Sequence, residues 1–158
     1  MASYSLHSTT TVKLWLTKTE LADLKSSQLA VSDFINGSMK KNEATKLIKS
    51  SMAILTSVFK IPVVEDLLNE LASYTADAAK DEKDDLYDGA IAAWGTMDSL
   101  LSKWNSKIGL FKENIVKVEI AFPAVVYKNR STGKLIQIFN KAGYQTGAID
   151  ANGVKYLS

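Results

Sequence analysis

A single histidine, no cysteine and a crowded run of carboxylates are the features of this chain with chemistry in them. A histidine general base, or a Ser-His-Asp arrangement, would have to use His7. It stands in Ser5-Leu6-His7-Ser8-Thr9, a stretch with no carboxylate or amide to orient the ring. No catalytic residue is therefore assigned. One imidazole without a thiolate also falls short of a zinc ligand set, and the absence of cysteine removes disulfides and thiol nucleophiles together. Neither a Walker-type run nor a G-x-G-x-x-G is present, so no cofactor is expected.

Asp81, Glu82, Asp84, Asp85 and Asp88 precede Gly89 and invite comparison with a calcium loop. With Gly89 placed sixth, Asp84 and Asp88 fall correctly at the first and fifth positions. Leu86 then occupies the third and Gly95 the twelfth, where a bidentate glutamate is needed, and the pattern fails. Residues 81–85 are read instead as a loop, with Asp84 capping the helix that follows. Asn36-Gly37-Ser38 and Asn129-Arg130-Ser131 are formal glycosylation acceptors, better explained as turns. Gly143 and Gly147 have the spacing of a membrane-helix dimer motif but lie in a polar hairpin, so that reading is discarded.

Two surfaces suggest partners. Lys117, Lys128, Arg130, Lys134, Lys141 and Lys155 form a candidate partner-binding set, with Tyr127, Phe139, Tyr144 and Tyr156 interleaved. Stacking aromatics among cations would suit nucleic acid. A single arginine in the whole chain, however, leaves bidentate base and phosphate contacts unsupplied, and a solvated lysine-rich sheet face is preferred. The second surface is the stripe Met52, Ile54, Leu55, Val58 and Phe59, opposite Lys46, Lys49 and Lys60. It has the pattern of an interfacial helix and is the candidate membrane-facing set, although a helix packed in a core carries the same stripe. Trp15, Trp94 and Trp104 share that ambiguity.

The elements that must position these residues follow from periodicity. Residues 4–16 alternate as a strand whose first half is polar. Thr17-Lys18-Thr19-Glu20 matches a capping box and opens a helix with Leu21, Leu24, Val31 and Ile35 on one face, interrupted at Ser26-Ser27 and closed by Asn36-Gly37. Asn42 is expected to cap a helix running to Phe59, which Pro62 stops; a further helix then carries Val64, Leu67, Leu68 and Leu71. A third long helix runs from Asp84 to Gly109 with Tyr87, Ala90, Ile91, Trp94, Met97 and Leu101. After Lys112 the period becomes two: residues 116–126, 134–139, 144–149 and 154–157 read as strands joined by turns. Pro123, which has no amide to donate, marks an edge or a bulge.

The chain is thus expected to be one α+β domain over residues 1–158: an N-terminal strand, three to four helices in a helical middle segment, then a C-terminal antiparallel meander of three to four strands. The net charge of +2 hides a segregation. Residues 1–60 hold eight Lys against four acids, whereas residues 61–100 hold ten acids against two Lys. No signal peptide is visible and the most apolar stretch, residues 52–64, is shorter than the roughly 20 residues a bilayer needs. A cytoplasmic protein is the default expectation, with leaderless secretion or a removed leader as alternatives. The leading functional reading is a non-enzymatic interaction protein that binds a protein partner or an anionic membrane surface through its polarised charge. A membrane-active, pore-forming effector using helices 42–109 is the alternative, and a small hydrolase using Asp81 to Asp88 comes third.

Overall fold

The computed structural model describes residues 4–49, 58–60 and 63–157. Its order is β1 (Tyr4–Leu16), α1 (Lys18–Ile35), α2 (Lys41–Ile48), α3 (Val64–Asp77), α4 (Lys80–Asn105), a short 3-10 turn (Gly109–Lys112), β2 (Ile115–Asn129), β3 (Leu135–Phe139), β4 (Tyr144–Asp150) and β5 (Lys155–Leu157). This is the expected α+β arrangement.

The sheet is built on β2. Along one edge it pairs antiparallel with β1, from Tyr4 opposite Asn129 to Leu16 opposite Val118, with a bulge at His7. The other edge is shared: β4 covers Ile115 to Ala121 and β3 covers Ala124 to Lys128, so these two strands lie end to end rather than side by side. β5 then pairs with β4. Pro123 falls at the seam between them. Its carbonyl accepts from the Asn140 amide at 3.1 Å, so its missing N–H also faces the gap that neither strand fills. The proline is therefore tolerated in a central strand, where an edge or a bulge had been expected.

Helix boundaries show what local capping decides. The Thr17–Glu20 capping box forms in both directions, at 3.2 Å and 3.0 Å. Helix α1 runs without a break through Ser26-Ser27, because Ser27 is buried and its hydroxyl reaches the Leu47 carbonyl at 3.3 Å. Lys40, not Asn42, occupies the N-cap of α2, and Asn42 spends its amide oxygen on the Glu43 N–H. Likewise α4 begins at Lys80, four residues before Asp84, so the acidic run lies in helix rather than in a loop. Asp81 and Glu82 sit in its first turn, where the unpaired N–H groups favour negative charge. The expected stop at Pro62 lies outside the described residues.

One core joins the layers. Helix α1 packs between α2 and α4, and the Gln28 amide donates to the Ala90 carbonyl across that contact at 2.9 Å. On the sheet, Phe122, Ala124 and Val126 on one face and Ala121 and Val125 on the other are all buried. This stretch of β2 is therefore covered on both sides.

Asp150 organises the β4–β5 hairpin. Its carboxylate accepts from the amides of Asn152 and Val154, both at 2.9 Å, and from the Tyr156 hydroxyl at 3.1 Å. Gly153 supplies the positive φ of +81° that an Asn-Gly turn requires. These bonds, the Val154 amide foremost, hold the Asp150 carboxyl below its ordinary range. Because the folded value is the lower one, the stabilisation is complete above the unfolded value of about 3.9 and fades as pH falls through the folded value. Asp150→Asn is expected to flatten that acid-side decline. Exchange of the Asn152 and Val154 amides along a pH series measures it, and identical profiles in the two proteins would refute the assignment.

Candidate functional site

The N-terminus of β1 and the far end of β2 come together beneath the junction of α3 and α4. There three tyrosines form a continuous aromatic floor. Tyr4 meets Tyr74 edge-on with ring centroids 5.5 Å apart, and Tyr74 meets Tyr127 at 4.7 Å. Tyr4 and Tyr74 are buried, while Tyr127 is half-buried. Behind them the buried carboxylate of Glu70 accepts from the Tyr4 hydroxyl, and from the Asn129 amide at 3.1 Å. The same Asn129 turns its oxygen to the Ser131 and Thr132 amides, so this acceptor sequence does act as turn chemistry.

Above the floor opens a cleft of about 440 Å³, a size suited to a side chain or small ligand. Val125 and Leu86 extend its apolar base, and Asn140 stands in its wall. Its rim carries Asp77, Glu82 and Asp85, all exposed, together with Leu6, which is 61% exposed. Among the described residues no lysine or arginine lines it. The Asn140 Oδ1 is buried and has no hydrogen-bond partner among the described residues. A buried amide oxygen left in that state costs free energy unless something donates to it.

Burial pushes the Tyr4 phenol above the usual tyrosine value, and its bond to Glu70 adds to the shift. Tyr74 is raised in the same sense, by burial first and then by its bond with Tyr127. Both rings are therefore neutral phenols at physiological pH, and neither can serve as a phenolate base. Among the described residues no three of His, Asp and Glu converge as a metal-ligating group, so the rim presents spread negative charge rather than a metal cage. The arrangement can bind a bulky cation. It offers no nucleophile beside a base.

The residues singled out from the sequence are dispersed. Lys128, Arg130 and Lys134 cluster at the β2–β3 hairpin, and Lys141 follows β3. Lys117 and Lys155 share a cross-strand row through Ile149 at the opposite end of the sheet. Eleven residues of extended strand separate Lys117 from Lys128, about 36 Å. These cations therefore do not form one patch. Val58 and Phe59, expected to face a membrane, are buried in the core, where the Val58 carbonyl accepts from the buried Gln137 amide at 2.9 Å. Met52, Ile54 and Leu55 lie outside the described residues. No described helix is long and apolar enough to cross a membrane. His7 is exposed at the β1 bulge.

Sequence reasoning saw the rim and missed the floor. Of the rim acids, Glu82 and Asp85 belong to the run from Asp81 to Asp88 that capping and a solvated loop explain, Asp77 carries no local signal, and the three tyrosines are separated by 70 and 53 residues with no motif joining them. No family model, curated protein or solved structure matches the chain.

Proposed function

We propose that this chain is a non-enzymatic interaction protein that recognises a basic segment of a protein partner. Its recognition surface is the acidic face made by the end of α3 and the start of α4. The observation that carries this reading is the cleft lined by three carboxylates and no basic side chain in a chain whose net charge is positive. Opposite potentials steer such a partner in and fix its orientation. The neutral tyrosine floor supports binding over turnover. The lysines of the sheet, split between its two ends, serve as solvated surface in this reading.

The test is a titration of the full chain with a labelled lysine- and arginine-rich peptide and with its glutamate-rich counterpart, at low and high salt. The basic peptide is expected to bind and to weaken with salt, since exposed charges are screened beyond about 8 Å at physiological ionic strength. Each rim carboxylate contributes roughly 0.2–1 kcal/mol, so Asp77→Asn, Glu82→Gln and Asp85→Asn together should weaken binding about tenfold. Charge reversal at Lys117 and Lys155 should leave it unchanged. Equal affinity for both peptides, or a hydrolytic activity abolished by one of these carboxylate changes, would overturn the proposal.

A further inference from the structure

A separate surface lies at the other end of the sheet, where β1 finishes and β2 begins, and the register there sorts side chains by face. Leu14, Leu16, Val118, Ile120 and Ala148 alternate inward and are buried. The residues between them share the outer face in three cross-strand rows. Lys13 pairs with Ala121 and Tyr144, Trp15 with Glu119 and Gly147, and Lys117 with Ile149 and Lys155. Lys13, Trp15, Lys117, Tyr144 and Lys155 are all exposed. We propose that this face binds single-stranded nucleic acid without sequence preference, stacking bases on Trp15 and Tyr144 and meeting phosphates with the three lysines. It is independent of the acidic face and does not rest on that reading.

Gly147 carries the argument. It lies inside β4 without a positive φ, so its backbone conformation does not call for glycine, and glycine weakens a strand interior. A β-carbon there would stand 3.2 Å from Cη2 of Trp15. The indole of a β1 residue thus reaches across β2 to β4, two strand spacings of about 4.8 Å each, which it can do only by lying along the sheet. Trp15 is nevertheless 38% exposed, so the ring face turned away from the sheet is open. A ring held down in this way does not protrude as a bilayer anchor would, but it is preset to stack on a planar group. Tyr144, 56% exposed, offers a second ring in the adjacent row.

Charge identifies the rest of the ligand. Among the described residues none of the three lysines is in an ion pair, while Glu119, the acid in these rows, accepts from the Thr146 hydroxyl at 2.7 Å. The lysines flank the indole row on both sides. A neutral sugar would use the rings and leave the cations idle, and a polyanion without bases would do the reverse. A chain of bases and phosphates uses both. A lone arginine is no obstacle here, because stacking does not read base edges. The register also replaces the aromatics that the sequence interleaves with lysines: Phe139 is buried, Tyr127 floors the cleft, Tyr156 bonds Asp150, and Trp15 joins Tyr144 instead.

The experiment titrates the full chain with a fluorescent oligothymidine, the same strand made abasic throughout, a duplex of equal length, heparin, and phosphatidylserine vesicles. The oligothymidine is expected to bind about tenfold tighter than the abasic strand, since stacking alone separates them. Trp15→Ala should erase that difference and Trp15→Phe should keep most of it. Gly147→Val, which lifts the indole, should act like Trp15→Ala. The slope of log K against log salt should be about −2 and should shrink by about 0.7 for each of Lys13→Gln, Lys117→Gln and Lys155→Gln. These lysines are exposed, so their slopes decide the matter even where a Trp15 or Gly147 variant fails to fold. Equal binding of the abasic and thymidine strands would overturn the proposal in favour of plain charge. Tighter binding of the duplex or of heparin would overturn it too. Vesicle binding that Trp15→Ala abolishes, with no oligonucleotide bound, would replace nucleic acid by a membrane surface. No binding of any probe would end it.

Discussion

Gly89→Ala is expected to destabilise the protein by about 2 kcal/mol, although it exchanges a glycine for the best helix former. A β-carbon at Gly89 would stand 2.6 and 2.7 Å from the carbonyl carbon and Cα of Asn140, and closer still to the carbonyl oxygen. These are backbone atoms at the end of β3. They cannot swing aside as a long side chain would, so α4 must lift off the sheet. Gly95, six residues on in the same helix, has nothing within 4 Å of its β-position. Gly95→Ala should therefore gain up to about 1 kcal/mol from helix propensity alone. Urea unfolding of the pair gives opposite signs if this packing is right, and two stabilised variants would show that α4 does not approach Asn140 as described.

Phe139→Ala should cost about 4 kcal/mol, lowering Tm by roughly 12 °C. Its ring lies parallel to that of Phe122, 4.5 Å between centroids and 9° between planes, and both are fully buried. Removing one leaves a cavity faced by the other, and backbone crowding limits collapse around it. A β-carbon at Gly143 would already be 2.5 Å from the Phe122 ring, so the chain passes tightly over it. Phe139→Leu should cost less than about 1.5 kcal/mol, since it keeps most of the volume. Thermal and urea unfolding of the two variants, and of Phe122→Ala with Phe139→Ala, would measure the pair. Strict additivity would mean that the rings do not share one packing unit.

What was legible in the sequence was whatever rests on local chemistry. The Thr17–Glu20 box needs four consecutive residues, and it formed as read. The strands after Lys112 announce themselves by alternation, and Asn152-Gly153 by its turn geometry. The start of α4 was placed late because Asp84 looks like a cap, whereas Lys80, Asp81 and Glu82 form the first turn and Lys80 bridges Asp84 at 3.6 Å. Gly89 resembled a loop glycine in a failed calcium motif. Its real constraint, the Asn140 backbone, lies 51 residues away and leaves no local trace. The cleft was hidden for the same reason. Tyr4, Tyr74 and Tyr127 meet only because β1 crosses to the far end of β2, and pairing at that distance cannot be read from spacing. Lys117 and Lys128 show the converse. They belong to one strand and look alike by residue type, but that strand is 15 residues long and holds them toward its two ends.

The pairing of β1 also has a consequence in time. Tyr4 lies opposite Asn129 and Leu16 opposite Val118, so during synthesis β1 leaves the ribosome more than a hundred residues ahead of its partner. At roughly 5–20 residues per second, that is about 5–20 s with a bare hydrogen-bonding edge. Between Ser5 and Thr11 the strand is mostly hydroxyl side chains with Leu6 and His7, which gives a passing nascent chain little apolar surface to grip. The polar half of β1, exposed in the finished sheet, also suits the interval before β2 exists.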